Sequence, residues 1–552
     1  MTTRALVASI FFIVLVTLGV YAVILPAPFK TMDDQYSIVA NPLLRPDGNV
    51  QQIFTQGFFG DHSYYRPMVM LSFKLDYQLF GLNSFFYNLE NVLIHILNAL
   101  LVICLTVQLT GQRRLGVLVG LLFAIHPIQW EAVANISGRA VLLCTLFSLM
   151  AFAAFAAYQQ KQKIILLVLS LAGFTVALFC KESAGVLPMA LLAYVWVYRK
   201  KWWPLVSFFM LALAYAWLRH HLGITQFFQW RTGEEHFWGI VTFLRSVLTH
   251  LRLLVLPTDL HFDRSTPLLM GFNNPQVWLT MVVWVGALIW LMAKRASCSA
   301  LAWFCLWWFA IELFPVSQIV TTIGVAPGII STADHFLYFA CVPALLLLAQ
   351  ALLKLEPKLN PLVYRGLLVG FLSFLSITTV QQNLYATDEL VMMQRSLDIQ
   401  PANARLQSSV GLIHALHGDF KKAEEHFRLA VRADLTNPRY RICLGKAFCD
   451  QGRWAEGFRQ YMAIENSGGY RDLFQQNTQA AYQHFMDAVQ SGAVLDYPSW
   501  FVLGVYYAKA GEVDWAIHAF EHALALKPDD TDTLFNLKSL YAARDYEAIH
   551  SK

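Results

Sequence analysis

Charge is what this chain has least of. Only 14% of its 552 residues are Asp, Glu, Lys or Arg, where a soluble domain carries about 25%. Apolar residues reach 57% and mean hydropathy is +0.47. The scarcity of charge excludes a soluble globular enzyme over most of the length, and the apolar excess excludes disorder. Cysteine is sparse too. Six of the eight lie in or near apolar runs, while Cys443 and Cys449 stand six residues apart on one predicted helix. That is roughly 9 Å along the axis, too far to bridge, so a disulfide scaffold is excluded. The sequence shows no His/Cys cluster with metal-ligand spacing. What abounds is aromatic: 16 Trp, 22 Tyr and 40 Phe, suited to a chain with many membrane interfaces.

The composition changes along the chain. Residues 1–384 carry 24 Lys+Arg and 15 Asp+Glu; residues 385–552 carry 17 and 21. The first part reads as a polytopic membrane domain and the second as a water-soluble one, with a boundary near Gln381–Thr387. Apolar runs near the roughly 20 residues that cross a bilayer centre on 5–25, 89–110, 115–128, 140–158, 164–180, 184–198, 204–218, 275–293, 300–316, 335–353 and 362–381. That gives about 11 spans. The segment 240–256 holds Arg245, His250 and Arg252 and is expected at the interface or partly buried in the bundle. The first run is followed by Pro26-Ala27-Pro28 and reads as a retained anchor. Basic residues gather in alternate short loops, at Arg113–Arg114, Lys161/Lys163, Arg199–Lys201, Lys294–Arg295 and Lys354/Lys358. The positive-inside rule places that side in the cytoplasm. With 11 spans the C-terminal domain lies outside.

That domain repeats with a period of 34 residues. Gly411, Gly445 and Gly504 each follow an apolar residue. Twelve residues on come Ala423, Gly457 and Ala516, and four further Phe427, Tyr461 and Phe520. This is the tetratricopeptide pattern, in which small residues let two helices approach and aromatics fill between them. A degenerate helical insertion is expected around 470–495 and a capping helix at 531–548. Such arrays bind peptides or proteins, and nothing in this half looks catalytic.

Polar motifs gather instead in the external loops of the membrane half. The first loop, about 26–88, opens with Thr31-Met32-Asp33-Asp34 and holds Tyr64-Tyr65-Arg66-Pro67. The second runs from His126-Pro127 through Glu131-Ala132-Val133 to Ser137-Gly138-Arg139. The third is Cys180-Lys181-Glu182-Ser183, and the last Asp334-His335-Phe336-Leu337-Tyr338. Paired carboxylates at a membrane boundary are costly unless used or solvated. One can take a proton from a hydroxyl while the other orients the acceptor. Arg66, Arg139, Lys181 and His335 together can hold a phosphate at the bilayer surface. Read singly, each has a structural alternative. The arginines can be snorkelling anchors, Lys181–Glu182 an ion pair, His126 a helix cap, and His95 a satisfied core histidine. Asn135-Ile136-Ser137 matches a glycosylation sequon.

In order and domain layout these motifs resemble the transmembrane and tetratricopeptide-repeat O-mannosyltransferases, members of the GT-C glycosyltransferase superfamily. The resemblance covers nearly the whole chain. It implies an all-α fold, a GT-C-like transmembrane bundle over 1–384 followed by an extracytoplasmic tetratricopeptide α-solenoid over 385–552. It further implies an inverting membrane glycosyltransferase using a polyprenyl-phosphate sugar, of undecaprenyl or dolichyl type, with a mannose-like hexose. The acceptor implied is a protein Ser/Thr hydroxyl recruited by the repeats. Asp33 would be the general base, supported by Asp34. Arg66, His126, Arg139, Lys181 and His335 would contact the donor, with Glu131 and Glu182 orienting the cations or the sugar. The leaving group departs as an anion, so no metal is strictly required, and dependence on a divalent cation stays open. Membrane lipids are partners and nucleic acid is not.

The last motif has His335 where the family usually has Arg, which implies a weaker phosphate contact. Three clear repeats, fewer than in eukaryotic members, imply a bacterial inner-membrane protein with its site and repeats in the periplasm; in a eukaryote that side is the endoplasmic-reticulum lumen. Three other readings compete: the same fold acting on a lipid or glycan, a transporter with a docking domain, and a non-catalytic scaffold.

Overall fold

The computed structural model describes every residue except 1, 59–63, 225–232, 320–322, 327, 464–494 and 551–552. The expected insertion at 470–495 therefore lies almost wholly outside the described residues. The chain forms two compact units, Met1–Ile399 and Gln400–Lys552. Helix Glu389–Ile399 belongs to the first, although its composition is that of the second. It buries Met392, Met393 and Leu397 there, and Ser396 accepts the Phe262 N–H at 3.0 Å.

Both units are helical, as expected. Among the described residues the one exception is a small antiparallel sheet in which Ile329–Ser331 pairs with Ser265–Pro267 and Gly324–Ala326. All eleven apolar runs lie on helices. Among the described residues seven helices are long and apolar enough to cross a bilayer, or eight if the bent pair Arg113–Ile125 and Pro127–Val133 is one span. The rest of the eleven are shorter. Three of them, Ile164–Cys180, Glu182–Val197 and Ala300–Val316, are 10–17 residues long. The reason is local: these helices begin or stop where the polar motifs lie, at His126-Pro127, Lys181-Glu182 and Pro315.

The helix Glu234–Val255 covers the segment expected at the interface or partly buried in the bundle. It is long and apolar enough to count among the seven, and 56% of its apolar window is buried inside the unit, in keeping with the second of those expectations. Its Thr242, Ser246 and His250 are buried; His250 Nε2 lies 3.2 Å from the Thr332 carbonyl, while its Nδ1 is buried without a partner among the described residues. Helix Pro275–Lys294 turns Trp278, Val282, Leu288 and Trp290 outward, as a lipid-facing helix does. The chain is an integral membrane protein.

The core of this unit is polar at chosen points. His95 is fully buried. Its Nδ1 lies 2.8 Å from the Tyr338 hydroxyl and its Nε2 3.1 Å from the Ala124 carbonyl. Asn98 donates to the same hydroxyl. His95 is a satisfied core histidine joining three helices, and that reading of it holds.

In the second unit, Ala404–Leu416 packs on Phe420–Ala433, Pro438–Cys449 on Trp454–Met462, and Tyr497–Ala510 on Val513–Leu526. The helix Thr531–His550 follows. A Cβ on Gly411, Gly445 or Gly504 would stand 2.6–2.8 Å from the ring of Phe427, Tyr461 or Phe520. The 34-residue signal is thus a contact: glycine on the first helix, aromatic on the second.

Candidate active site

The two acids of the first loop differ in environment. Asp34 is buried. Its Oδ2 accepts the Lys30 N–H at 2.9 Å and its Oδ1 accepts the Ser137 N–H at 3.2 Å, from the second loop. The Lys30 ammonium donates to the Ala134 carbonyl at 2.7 Å. Burial pushes the Asp34 carboxyl up to about 6, against the opposing pull of that ammonium. Asp33 is half-buried, and its carbonyl accepts the N–H and hydroxyl of Ser37, starting the turn Gln35–Val39. A third acid, which the sequence reading missed, closes the loop. Glu389 accepts the Thr31 N–H at 2.8 and 3.0 Å and the Thr31 hydroxyl at 3.1 Å. No local signal marks it, since it lies 358 residues away.

The second loop is the hub. His126 breaks the helix before Pro127, and its Nδ1 accepts the Ile128 N–H at 3.1 Å as an N-cap. Its Nε2 reaches the Leu254 carbonyl at 3.1 Å. Both ring nitrogens are engaged within the fold and the ring is fully buried, away from the groups that line the cavity described below. Asn135 is buried and donates to the Glu131 carbonyl, so the sequon is not displayed. At Gly138 the chain folds so tightly that a Cβ would lie 2.0 Å from the Ala132 carbonyl oxygen. Gly138→Ala is therefore expected to destabilise the membrane unit by about 1–3 kcal/mol and to displace Ser137 from Asp34. Thermal unfolding in detergent measures the first effect and transfer activity the second.

Arg139 also departs from expectation. It is fully buried. Its guanidinium donates to Asn91 Oδ1, to Asp76 at 3.1 Å and to the Tyr87 carbonyl at 3.0 Å, and pairs with Glu90 at 2.8 Å. It lies over the Phe73 ring at 5.1 Å. Its donors are spent on tying three helices together, and it does not line the cavity.

That cavity, about 620 Å3, is walled by Arg66, Lys181, Glu182 and His335, by Thr145, Ser148 and Glu312, and by apolar groups including Val141, Leu187 and Phe339. Arg66 pairs with Glu182 at 3.4 Å and lies 4.5 Å over the Tyr64 ring. Its Nε is buried with no partner among the described residues. Glu182 also accepts the Tyr65 N–H at 3.1 Å, so Lys181 and Glu182 are not the ion pair that adjacency suggested. His335 Nδ1 lies 3.0 Å from Glu131, whose other oxygen accepts the His335 N–H at 2.9 Å. The Lys181 ammonium makes no hydrogen bond or ion pair with the described residues. Burial and neighbouring Arg66 lower it to about 8. Asp33 and Asp34 are not in the wall, but Asp34 holds the same second loop whose Glu131 holds His335. Glu312 was not singled out in the sequence. Its signal was a lone acid in the apolar run 300–316.

A tetratricopeptide repeat model matches residues 497–530. The chain is 26% identical to a protein O-mannosyl-transferase of Caenorhabditis elegans over 428 residues, 73% of this chain and 59% of that one. It is 23% identical to protein O-mannosyl-transferase Tmtc3 of Drosophila melanogaster, over 78% of this chain and 56% of that one. To protein O-mannosyl-transferase TMTC1 of Homo sapiens it is 42% identical over 130 residues, 22% of this chain and 15% of that one. The chain spans less than two thirds of these relatives. All three are animal proteins, so the expected bacterial origin finds no support among them. Over most of its length the chain is similar to animal proteins named protein O-mannosyl-transferases.

Proposed function

We propose that the chain is a GT-C-type glycosyltransferase that moves a mannose-like hexose from a polyprenyl phosphate to a Ser/Thr hydroxyl of a protein recruited by its repeats. The site and repeats face away from the cytoplasm, into a periplasm or an endoplasmic-reticulum lumen. One observation carries this reading. The cavity joins Lys181, whose ammonium has no acid paired to it among the described residues, with Arg66 and His335, beside apolar walls that suit a lipid chain. In the reaction Asp33 takes the proton of the acceptor hydroxyl as its oxygen attacks the anomeric carbon. The bond to the phosphate oxygen breaks, and polyprenyl phosphate leaves as an anion neutralised by Lys181 and Arg66. A single displacement inverts the anomeric carbon. Asp34 acts by fixing the loop. The test supplies radiolabelled polyprenyl-phosphate sugars and a protein extract to the purified chain. Label entering protein and released by β-elimination is the expected result. Label entering lipid or glycan would favour the second acceptor class, and no transfer from any donor would overturn the reading.

The two shifted groups give a pH prediction. An acid near 6 is anionic above that pH, and an amine near 8 is cationic below it. Donor kcat/KM is therefore expected to rise through about pH 6 and to fall above about pH 8. Lys181→Arg should move the upper limb to higher pH, and Asp34→Asn should remove the lower one. A pH series of initial rates on the three proteins checks this.

A further inference from the structure

The ionisable groups of the cavity wall are Arg66, Lys181, Glu182, Glu312 and His335. Arg66 is matched by Glu182, and His335 by Glu131. Among the described residues one cation and one acid remain without an ion-pair partner, Lys181 and Glu312. A sugar linked through a phosphodiester brings a single negative charge, which Lys181 matches. That leaves Glu312, on the otherwise apolar helix Ala300–Leu313. An acid in such a helix is costly unless it has polar work to do.

Its placement is specific. Trp308 Nε1 donates to Glu312 Oε1 at 3.0 Å. Trp308 is itself buried and wedged by Phe152, Phe304 and Phe339, with ring centroids 5.3–5.7 Å away. One carboxylate oxygen is pinned and the other is left for the cavity. Across the same cavity helix Arg139–Lys161 presents Thr145 and Ser148, both buried. A pinned carboxylate beside two hydroxyls in an apolar wall is a set of acceptors and donors for a neutral polyol, not for a second phosphate.

Resting on the glycosyltransferase reading above, we infer that Glu312 is the residue that binds the hydroxyls of the donor's sugar, a neutral hexose, with Trp308 holding it in place. The carboxylate accepts hydrogen bonds from sugar hydroxyls while Lys181 takes the phosphate, so one end of the cavity reads the sugar and the other the lipid phosphate.

The experiment uses the full chain in nanodiscs, with polyprenyl-phosphate mannose as donor and sugar-free polyprenyl phosphate as competitive inhibitor. Glu312→Gln keeps the volume of the side chain. Its donor KM is expected to rise about tenfold, the loss of a charge-assisted hydrogen bond, while the Ki of the sugar-free lipid stays within about twofold. Lys181→Met should raise both. Glu312→Asp, which keeps the carboxyl group, should lose less than Glu312→Gln. An unchanged donor KM in Glu312→Gln, with wild type active, overturns this inference alone. A Ki that rises in step with KM overturns it too, because Glu312 would then serve the phosphate end or the fold. A wild type that transfers no sugar overturns the glycosyltransferase reading, and this inference falls with it.

Discussion

Asp33→Asn is expected to lower sugar transfer by about 100- to 10,000-fold, the usual worth of a positioned general base. The donor should still bind, since Asp33 is absent from the cavity wall and the cationic groups stay in place. Competition by sugar-free polyprenyl phosphate measures that binding separately from transfer. The contrast with Asp34 sharpens the test. Asp34 is buried and spends both oxygens on backbone N–H groups of two loops, so its replacement should lower the melting temperature as well as the rate. Asp33 is half-buried, and its replacement should lower melting less than that of Asp34. Transfer surviving in Asp33→Asn at more than a tenth of wild type would remove Asp33 from the reaction. Equal thermal losses in both variants would make the pair structural.

Arg139→Met is expected to cost about 3–5 kcal/mol of stability, because it removes the cation from the buried Asp76 and leaves the hydrogen-bonding groups around it unpaired. Asp76 is buried, and burial together with its hydrogen bond to Glu90 pushes its carboxyl up to about 8. The sign follows from linkage. A carboxyl raised in the folded state contributes stability that is present below its unfolded value and lost as pH rises through the folded one. Without the guanidinium the charged form is harder still to bury, so the deficit of Arg139→Met should widen from pH 6 towards pH 9. Adding Asp76→Asn should recover part of it. Thermal unfolding at the two pH values, on the single and double variants, gives the answer. A normal melting temperature with donor binding lost would return Arg139 to the phosphate site that its motif suggested.

These cases show what could be read from the residues and what could not. The repeats were legible because their signal is a contact within one helix pair, Gly504 against Phe520. The membrane half was legible because apolar runs and basic loops need no tertiary information. The motifs were legible as a group, since polar residues cluster in the loops of an otherwise apolar half. Their partners were not. Arg66 and Arg139 look alike in the chain, each in a loop motif beside a helix start, yet one meets Glu182 in the cavity and the other meets Asp76 and Glu90 in the core. Lys181 sits beside Glu182 in sequence, but the carboxylate turns to Arg66, 116 residues away. Glu389 meets Thr31 across 358 residues, a pairing that only tertiary packing creates. The ranges of the apolar runs match the helices, and several of these are short because polar motifs end them on the side where the site is built.

The central claim is that the cavity between Arg66, Lys181 and His335 receives a polyprenyl phosphate. Photo-crosslinking tests it most directly, using a polyprenyl-phosphate analogue with its photoreactive group close to the phosphate, on the full chain in nanodiscs, with adducts mapped by mass spectrometry. The account predicts adducts on cavity-wall residues such as Val141, Leu187 and Phe339, suppressed by unlabelled polyprenyl-phosphate sugar and weakened in Lys181→Met. Adducts that fall elsewhere on the membrane unit, at the same yield in Lys181→Met and unaffected by competitor, would contradict it.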